Sequence, residues 1–157
     1  MKTGLRIRAV KPADTAAILD LTTGVFAPAS IDARIQARIG GTDWKKIKCA
    51  TVERELNANP RGCFVAVRGD RIAGYVTTVV NDLASRGTIA NLAVAADCQG
   101  QGLGRRLLAH ALRHFRRLNL RHAKIETLAD NAAGQKLYPS LGFQEVARQI
   151  HYAMPLD

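Results

Sequence analysis

The sequence predicts one α/β domain, with a mixed sheet of about six to seven strands flanked by about four to five helices. Short apolar runs that alternate or stay apolar throughout are typical of strands, and they recur along the chain. Between them lie longer segments with apolar residues at helical spacing. The length of 157 residues suits one domain with a sizeable core, so we expect residues 1–157 to form it.

The first sixty residues contain one predicted strand and three predicted helices. Apolar residues alternate with arginines at the start, as in a half-buried strand. Pro12 marks the first turn of a helix, Ser30 caps a second, and Thr42 or Asp43 opens a third, because these residues favour helix N-termini. The strand is predicted over 5–9 and the helices over 12–25, 31–39 and about 43–57.

The remaining hundred residues are richer in strands. A turn at 68–70 separates two apolar runs, which predicts a hairpin. A long amphipathic helix follows the next strand, and a shorter helix carries Tyr138. Strands are predicted over 63–67, 72–80, 88–94 and 123–129, helices over 103–118 and 132–141, and a returning strand pair or one bent strand over 143–154.

A glycine-rich turn joins the strand ending at Val94 to the long helix. It reads Gln99-Gly100-Gln101-Gly102-Leu103-Gly104-Arg105. The first amides of a helix have no partner within it and can bind an anion, and Arg105 adds positive charge. The turn therefore predicts a cradle for a phosphate or pyrophosphate.

Two well-known phosphate loops do not fit this turn. A nucleoside-triphosphate loop needs Gly-Lys-Ser/Thr, whereas Gly104 precedes two arginines, and a dinucleotide fingerprint needs G-x-G-x-x-G near the first strand. The pattern Gln99-x-x-Gly102-x-Gly104 instead resembles the acyl-CoA loop of the GNAT superfamily of N-acetyltransferases, in which Arg or Gln stands at the first position.

A second segment strengthens the resemblance. Asn131, six intervening residues, Tyr138 and then Leu141-Gly142-Phe143 are similar to the second GNAT signature, about thirty residues after the first. The resemblance implies a GNAT-like fold in which the fourth and fifth strands splay apart to admit the pantetheine of acetyl-CoA. It covers residues 62–154 well and the first sixty only loosely.

The resemblance also implies roles for individual residues. Tyr138 protonates the departing thiolate, and Asn131 holds the CoA arm and the strand ahead of its helix. Backbone groups of the fourth strand hold the thioester oxygen, where one donor is worth about 3 kcal/mol. The implied contacts to acetyl-CoA are Leu92, Ala93, Val94, Gln99, Gly100, Gln101, Gly102, Leu103, Gly104, Arg105, Asn131 and Tyr138.

The residue that acts as general base has more than one candidate interpretation. The strand over 88–94 holds no carboxylate, so Glu126 in the following strand is the candidate. Its spacing to Asn131 and Tyr138 resembles the bacterial ribosomal-protein alanine N-acetyltransferases. Glu126 also has a structural interpretation, as a surface glutamate paired with a lysine, and a water-relayed base elsewhere stays open. Tyr138 has a packing alternative as well.

Composition argues against several classes of protein, namely nucleic-acid-binding, disulfide-rich, metal-binding and membrane proteins. The net charge of +10 favours polyanions, but the chain has neither zinc-finger spacing nor an aromatic-rich strand motif, which disfavours a nucleic-acid partner. The three cysteines are far apart and predict neither a disulfide framework nor a metal site. No segment has the length and apolarity of a membrane span or signal core, so we expect a cytoplasmic protein without a membrane partner.

We therefore expect an N-acetyltransferase that moves the acetyl group of acetyl-CoA directly to a primary amine in a ternary complex. Residues 88–142 form the acetyl-CoA-binding core, and residues 26–60 contribute the acceptor side. The acceptor, a small molecule or a peptide amine, is open, as are other acyl groups and a homodimer. Two alternatives remain, a catalytically silent acyl-CoA-binding or sensor domain and a basic nucleic-acid-binding module.

Overall fold

The computed structural model describes residues 4–156. Within them the chain forms five strands and five α-helices, with short 3-10 turns at several junctions. The elements follow in the order β1 (Leu5–Ala9), α1 (Thr15–Val25), α2 (Ile31–Ile39), α3 (Trp44–Ala58), β2 (Phe64–Arg68), β3 (Arg71–Asn81), β4 (Arg86–Val94), α4 (Leu103–Arg117), β5 (His122–Ile125) and α5 (Ala132–Leu137).

The strands form one sheet in the order β1-β2-β3-β4-β5. The first four pair antiparallel, while β4 and β5 pair parallel over Arg86–Ile89 and His122–Ile125. A parallel pair needs a crossover, and α4 provides it. The mixed α/β class is thus confirmed.

Two apolar clusters lie on opposite faces of the sheet. Leu107, Leu108 and Phe115 of α4 pack on one face. Ile18 of α1 and Val52 of α3 pack on the other. The sheet is therefore covered by α4 on one side and by α1 and α3 on the other.

Two of the three predicted helix starts in the first sixty residues are confirmed, while Pro12 begins a 3-10 turn and α1 itself starts at Thr15. The Ser30 hydroxyl accepts a hydrogen bond from the Ala33 amide at 3.3 Å, which caps α2. The Asp43 carboxylate accepts from the Lys45 amide at 3.0 Å, so Asp43 rather than Thr42 caps α3. These side chains satisfy amides that the first helical turn leaves free.

The predicted strand count is wrong, because residues 143–154 form no strand. The segment keeps its alternating apolar pattern, but Val146 is 95% exposed and Ile150 is 78% exposed. Alternation predicts a strand only where a neighbouring edge can pair with it. The adjacent strand β5 is four residues long and ends at Ile125, so residues 126–129, also predicted as strand, lie outside the sheet.

The helix that carries Tyr138 is also shorter than predicted. It ends at Leu137, and a 3-10 turn follows over Pro139–Leu141. Proline has no amide hydrogen to continue the helical ladder. Tyr138 itself keeps helical angles (φ −67°, ψ −46°) at this junction.

Candidate functional site

The glycine-rich turn presents a run of free amides between β4 and α4. Within residues 4–156, the six successive N–H groups from Gly100 to Arg105 donate to no backbone or side-chain acceptor. Gly100 (φ 71°) and Gly102 (φ 75°) have left-handed backbones, and Gly102 is the N-cap of α4. Glycine adopts this conformation without steric penalty. A run of unpaired amides at a helix N-terminus is suited to a diphosphate.

Two glutamine side chains stabilise this turn by hydrogen bonds to nearby backbone carbonyls. Gln99 Nε2 donates to the Val94 carbonyl at 3.0 Å, and Gln101 Nε2 donates to the Asp97 carbonyl at 2.9 Å. Gln101 Oε1 also accepts from Arg68 at 3.1 Å. The glutamines therefore hold the shape of the turn with their side chains and leave its amides unused.

The first turn of α4 joins the cradle to the rest of the fold. Leu103 is 3% exposed and anchors the helix in the core. A Cβ placed on Gly104 would lie 3.6 Å from Leu137 of α5, so the two helices approach closely here. Arg105 Nη2 donates to the Ser140 hydroxyl at 2.5 Å, which links the cradle to the segment that follows Tyr138.

The edge of β4 next to the cradle is open. Pairing with β5 stops at Ile89, so within residues 4–156 β4 continues to Val94 without a strand partner on that side. The Ala95 amide donates to Ala73 of β3 at 2.9 Å, and polar backbone groups alternate between the two edges of a strand. By this alternation Leu92 and Val94 direct their amides to the open edge, and Ala93 directs its amide to β3.

Asn131 and Tyr138 lie at the two ends of α5. The Asn131 side chain caps the helix, accepting from the Gly134 amide at 3.2 Å, and its Nδ2 donates to the Thr127 hydroxyl at 2.8 Å. The Tyr138 ring packs edge-on against Phe143, 6.3 Å away between centroids. Its hydroxyl has no hydrogen-bond partner among residues 4–156, and burial raises its pKa. Tyr138 is thus a protonated donor at neutral pH.

Glu126 lies one residue beyond the end of β5. Its carboxylate accepts from Lys124 Nζ at 3.2 Å, and its side chain is 63% exposed. The lysine pairing agrees with the structural interpretation of this residue. The exposure also leaves its second oxygen accessible, so the same geometry is compatible with proton transfer through water.

Sequence reasoning missed a polar cluster behind β4 in which Thr77 and Asn91 are buried and Lys48 and Glu55 are half-buried. Asn91 is 4% exposed, and its Nδ2 donates to Glu55 Oε2 at 2.5 Å and to the Thr77 hydroxyl at 2.9 Å. Lys48 Nζ donates to Asn91 Oδ1 at 2.5 Å and lies 4.4 Å above the Phe26 ring. Burial lowers the pKa of Lys48, while Glu55 opposes the shift. Two features of the sequence could have pointed to this cluster. Asn91 interrupts an apolar strand, and Lys48 and Glu55 lie seven residues apart on one helix.

The two histidines of α4 are structural. His110 and His114 pack edge-on against Phe64, at 4.5 and 5.4 Å between ring centroids. Burial and the neighbouring arginines lower the pKa of both rings. Across the described part of the chain, no three His, Cys, Asp or Glu side chains converge as a metal ion requires.

A bilayer crossing demands about twenty mostly apolar residues in one helix. No helix within residues 4–156 has both the length and the apolarity for it.

Comparison with known families gives one match that covers most of the chain. Residues 34–143 match the model of the acetyltransferase (GNAT) family. The matched range begins in α2 and includes the cradle, the open edge of β4, Asn131 and Tyr138.

Curated relatives and solved structures agree with this match. The chain is 34% identical over 124 residues to the ribosomal protein bS18-alanine N-acetyltransferase of Escherichia coli, covering 78% of this chain and 79% of that one. It is 36% identical over 105 residues to a mycothiol acetyltransferase of Geodermatophilus obscurus, covering 64% and 34%. The fold matches a Thermoplasma acidophilum N-acetyltransferase crystallised with coenzyme A, at a TM-score of 0.73, 14% identity and 90% coverage of both chains.

Proposed function

Because the chain belongs to the acetyltransferase (GNAT) family, we propose that it acetylates the α-amino group at the N-terminus of a protein or peptide. Its general activity is that of an acetyl-CoA-dependent N-acetyltransferase acting on an amine. The proposal concerns the acceptor and the residues that carry the reaction. A newly made protein N-terminus is available in the cytoplasm, which is the location we propose.

A relative of the chain and the chemistry of amines both favour an α-amino group as the acceptor. The E. coli relative, 34% identical over most of both chains, is named for an alanine of ribosomal protein bS18. An α-amine has a pKa of about 7.7–8.0, whereas that of lysine is about 10.4. Removing the proton from lysine at a given pH therefore costs about 3.4 kcal/mol more. An α-amine needs less help from a base, which suits a site whose nearest candidate carboxylate is exposed and paired with a lysine.

The observation that carries the proposal is the run of six free amides beside an open strand edge. We propose that the amides of 100–105 hold the diphosphate of acetyl-CoA and that Gln99 and Gln101 keep the turn in shape. The open edge of β4 between Leu92 and Val94 takes the pantetheine arm as an added strand. Residues 88–142 then form the donor-binding core, and residues 26–60 contribute the acceptor side.

Acetyl-CoA supplies the activated acetyl group as a thioester, and the chain's own residues hold it and move protons. The Leu92 amide is aimed at the place where negative charge develops on the thioester oxygen. Tyr138 gives its hydroxyl proton to the departing sulfur. Glu126 accepts the proton that the amine must lose, directly or through a water molecule. Asn131 fixes the start of α5 and so the position of Tyr138.

An acceptor panel with acetyl-CoA tests the proposal. The panel contains a peptide with a free N-terminal alanine, the same peptide with a blocked N-terminus and an internal lysine, a polyamine and an aminoglycoside. Release of the CoA thiol measures turnover, and mass spectrometry locates the acetyl group. Turnover on the free N-terminus alone supports the proposal. Preference for the blocked lysine peptide, the polyamine or the aminoglycoside contradicts the acceptor assignment.

The same panel separates the catalytically silent alternative. An acyl-CoA-binding or sensor domain raises its melting temperature with acetyl-CoA but acetylates none of the amines. Glu126→Gln tests the base: we expect kcat to fall about tenfold or more at pH 7, with a smaller loss at higher pH where the α-amine is already neutral. Unchanged kcat at pH 7 contradicts the role of Glu126 and leaves the acceptor result standing.

A further inference from the structure

The sheet has an irregularity in β4 immediately before its open edge. Thr77 of β3 pairs with Asn91, whereas the next residue, Thr78, pairs with Ile89, so Ala90 is an extra residue in β4. An extra residue of this kind is a β-bulge, which reverses the phase of the strand beyond it. One inserted residue therefore determines which residues of β4 direct their backbone groups to the open edge.

The reversal is visible in the packing on both faces. Ile89 belongs to the cluster under α4, and an uninterrupted strand would send Asn91 to the same face. Instead Asn91 faces α3, Leu92 packs on the α4 side and Ala93 packs on the α1 and α3 side. Amides alternate with the side chains, so the bulge also determines that Leu92, and not its neighbours, faces the open edge.

The polar cluster described above lies at this bulge. Glu55 Oε2 accepts from Asn91 Nδ2 at 2.5 Å and from the Thr77 hydroxyl at 2.7 Å. Thr77 is the residue of β3 that faces the bulge, and its side chain is fully buried. A bulge disrupts the ladder locally, so the side chains of Asn91 and Thr77 supply fixed contacts where the backbone ladder is irregular.

Lys48 completes the cluster from the acceptor side. Its ammonium donates to Asn91 Oδ1 at 2.5 Å and lies over the Phe26 ring, so two contacts hold it. Asn91 thus donates to two acceptors and accepts from one cation while it is almost fully buried. Leaving any of these groups without its partner is costly in a buried site, which gives the cluster one preferred arrangement.

We propose that Lys48, Glu55, Thr77 and Asn91 form a positioning cluster that fixes the bulge in β4 and thereby aims the Leu92 amide at the thioester oxygen. This inference rests on the proposed function, because it assigns the cluster to the same reaction. The cluster residues act through Leu92 and do not touch the reacting atoms. Their loss is expected to lower kcat and leave the binding of the CoA diphosphate at 100–105 unchanged.

The chain offers a matched pair of threonines for the test. Thr77 and Thr78 are adjacent, both fully buried and both hydrogen-bonded through their hydroxyls. Thr78 donates to the Gly62 carbonyl at 2.7 Å and accepts from Asn59 Nδ2 at 3.2 Å, and among residues 4–156 its hydroxyl has no hydrogen bond to the cluster. Thr77→Val and Thr78→Val each remove one buried hydroxyl at constant volume, so they share the loss of stability and differ in the loss of the cluster. Thr77→Ser keeps the hydroxyl.

We expect Thr77→Val to lower kcat about tenfold with an unchanged KM for acetyl-CoA, since a misplaced oxyanion donor costs up to about a hundredfold. Thr78→Val keeps the wild-type kcat, and Thr77→Ser restores it. Equal kcat losses in the two valine variants, or a rise in KM for acetyl-CoA without a fall in kcat, overturn the proposal. If Thr77→Val does not fold, Lys48→Met takes its place, because it removes the ammonium that donates to Asn91 from a half-buried residue. The same comparison of kcat and KM with Thr78→Val then applies.

A measurement without turnover separates this inference from the proposed function. In protein labelled with ¹⁵N-leucine, acetyl-CoA is expected to shift the Leu92 amide resonance in the wild type and in Thr78→Val, and to shift it much less in Thr77→Val. If Leu92 responds in this way but no amine is acetylated, the positioning cluster stands and the acceptor assignment fails. If acetylation proceeds and the Leu92 shift is the same in all three proteins, the cluster has no positioning role.

Discussion

The two halves of the candidate site are built from different material. The donor-binding half consists of backbone groups, the amides of 100–105 and the edge of β4, held between a long helix and a four-strand antiparallel ladder. The proton-transfer half consists of two side chains, Tyr138 after a six-residue helix and Glu126 beyond the end of a four-residue strand. Backbone groups in long elements are fixed by the fold itself, whereas these side chains depend on a few local contacts.

This difference separates two kinds of mutational effect. Damage to the amides of 100–105 should change the KM for acetyl-CoA, because it removes binding present before and during the reaction, whereas displacement of the Leu92 amide should change kcat. Damage to the side-chain half should change kcat, because proton transfer matters only as the bonds change.

The largest effect is expected from Tyr138→Phe. The substitution keeps the ring that packs on Phe143 and removes the hydroxyl that we propose protonates the sulfur. We expect kcat to fall about a hundredfold or more, as for the loss of a general acid, with little change in the KM for acetyl-CoA. Steady-state kinetics with the peptide acceptor provide the measurement. A loss under threefold would return Tyr138 to its packing interpretation.

The pH dependence of kcat tests the same hydroxyl. Tyr138 works as an acid only while protonated, so the rate should fall about tenfold per pH unit above its pKa. Burial raises that pKa above the ordinary value of 10, which places the decline above pH 10 in the wild type.

Phe143→Ala provides the matched variant for this profile. Removing the ring that packs on Tyr138 admits water, which lowers the pKa of the hydroxyl toward its ordinary value and moves the decline to lower pH. Circular dichroism across the same pH range checks that both proteins stay folded. A wild-type decline that begins below pH 9, or an identical profile in the variant, contradicts the assignment.

Gly102→Ala addresses the backbone half. The left-handed conformation at Gly102 costs a residue with a Cβ about 1–2 kcal/mol, and relief of this strain moves the amides of the turn. We expect the KM for acetyl-CoA to rise about tenfold with kcat within twofold of the wild type. Gly40→Ala, at a glycine with positive φ (77°) directly after α2, is the control for strain alone. A similar KM in both variants would argue against a phosphate cradle at 100–105.

The same contrast explains what the sequence could predict. The pattern from Gln99 to Arg105 predicted a turn with free amides before α4 because glycine spacing, the preceding strand and the following helix are all local properties. The mixed fold class followed from periodicity. The unpaired segment over 143–154 was missed because alternation does not report whether a partner edge exists.

The cluster at the bulge is a second feature that the sequence could not predict. Lys48, Glu55, Thr77 and Asn91 come from three separate elements, and the register of β3 against β4 together with the packing of α3 on the sheet brings them together. Sequence reasoning assigned residues 26–60, which include Lys48 and Glu55, to the acceptor side without pairing either residue with a partner. A one-residue insertion in a strand has no compositional signal, so both the reversal at Ala90 and the contacts it creates required the structure.

The smallest effect is expected where the two halves meet. Arg105 of the cradle donates to the Ser140 hydroxyl at 2.5 Å, and that hydroxyl donates to the Leu137 carbonyl at 2.5 Å, three residues back. Ser140→Ala removes the link, but both groups are exposed, so water can replace it at little cost. We expect kcat to fall about two- to threefold, equivalent to about 0.4–0.7 kcal/mol in the barrier, with an unchanged KM for acetyl-CoA.

Thr23→Ala is the control for the loss of such a hydroxyl. Thr23 donates to the Asp20 carbonyl three residues back in α1, in the same local pattern but away from the site. Steady-state kinetics should leave this variant at the wild-type kcat. If Ser140→Ala instead raises the KM for acetyl-CoA tenfold, the backbone half depends on a side-chain link, and the division between the two halves fails at Arg105.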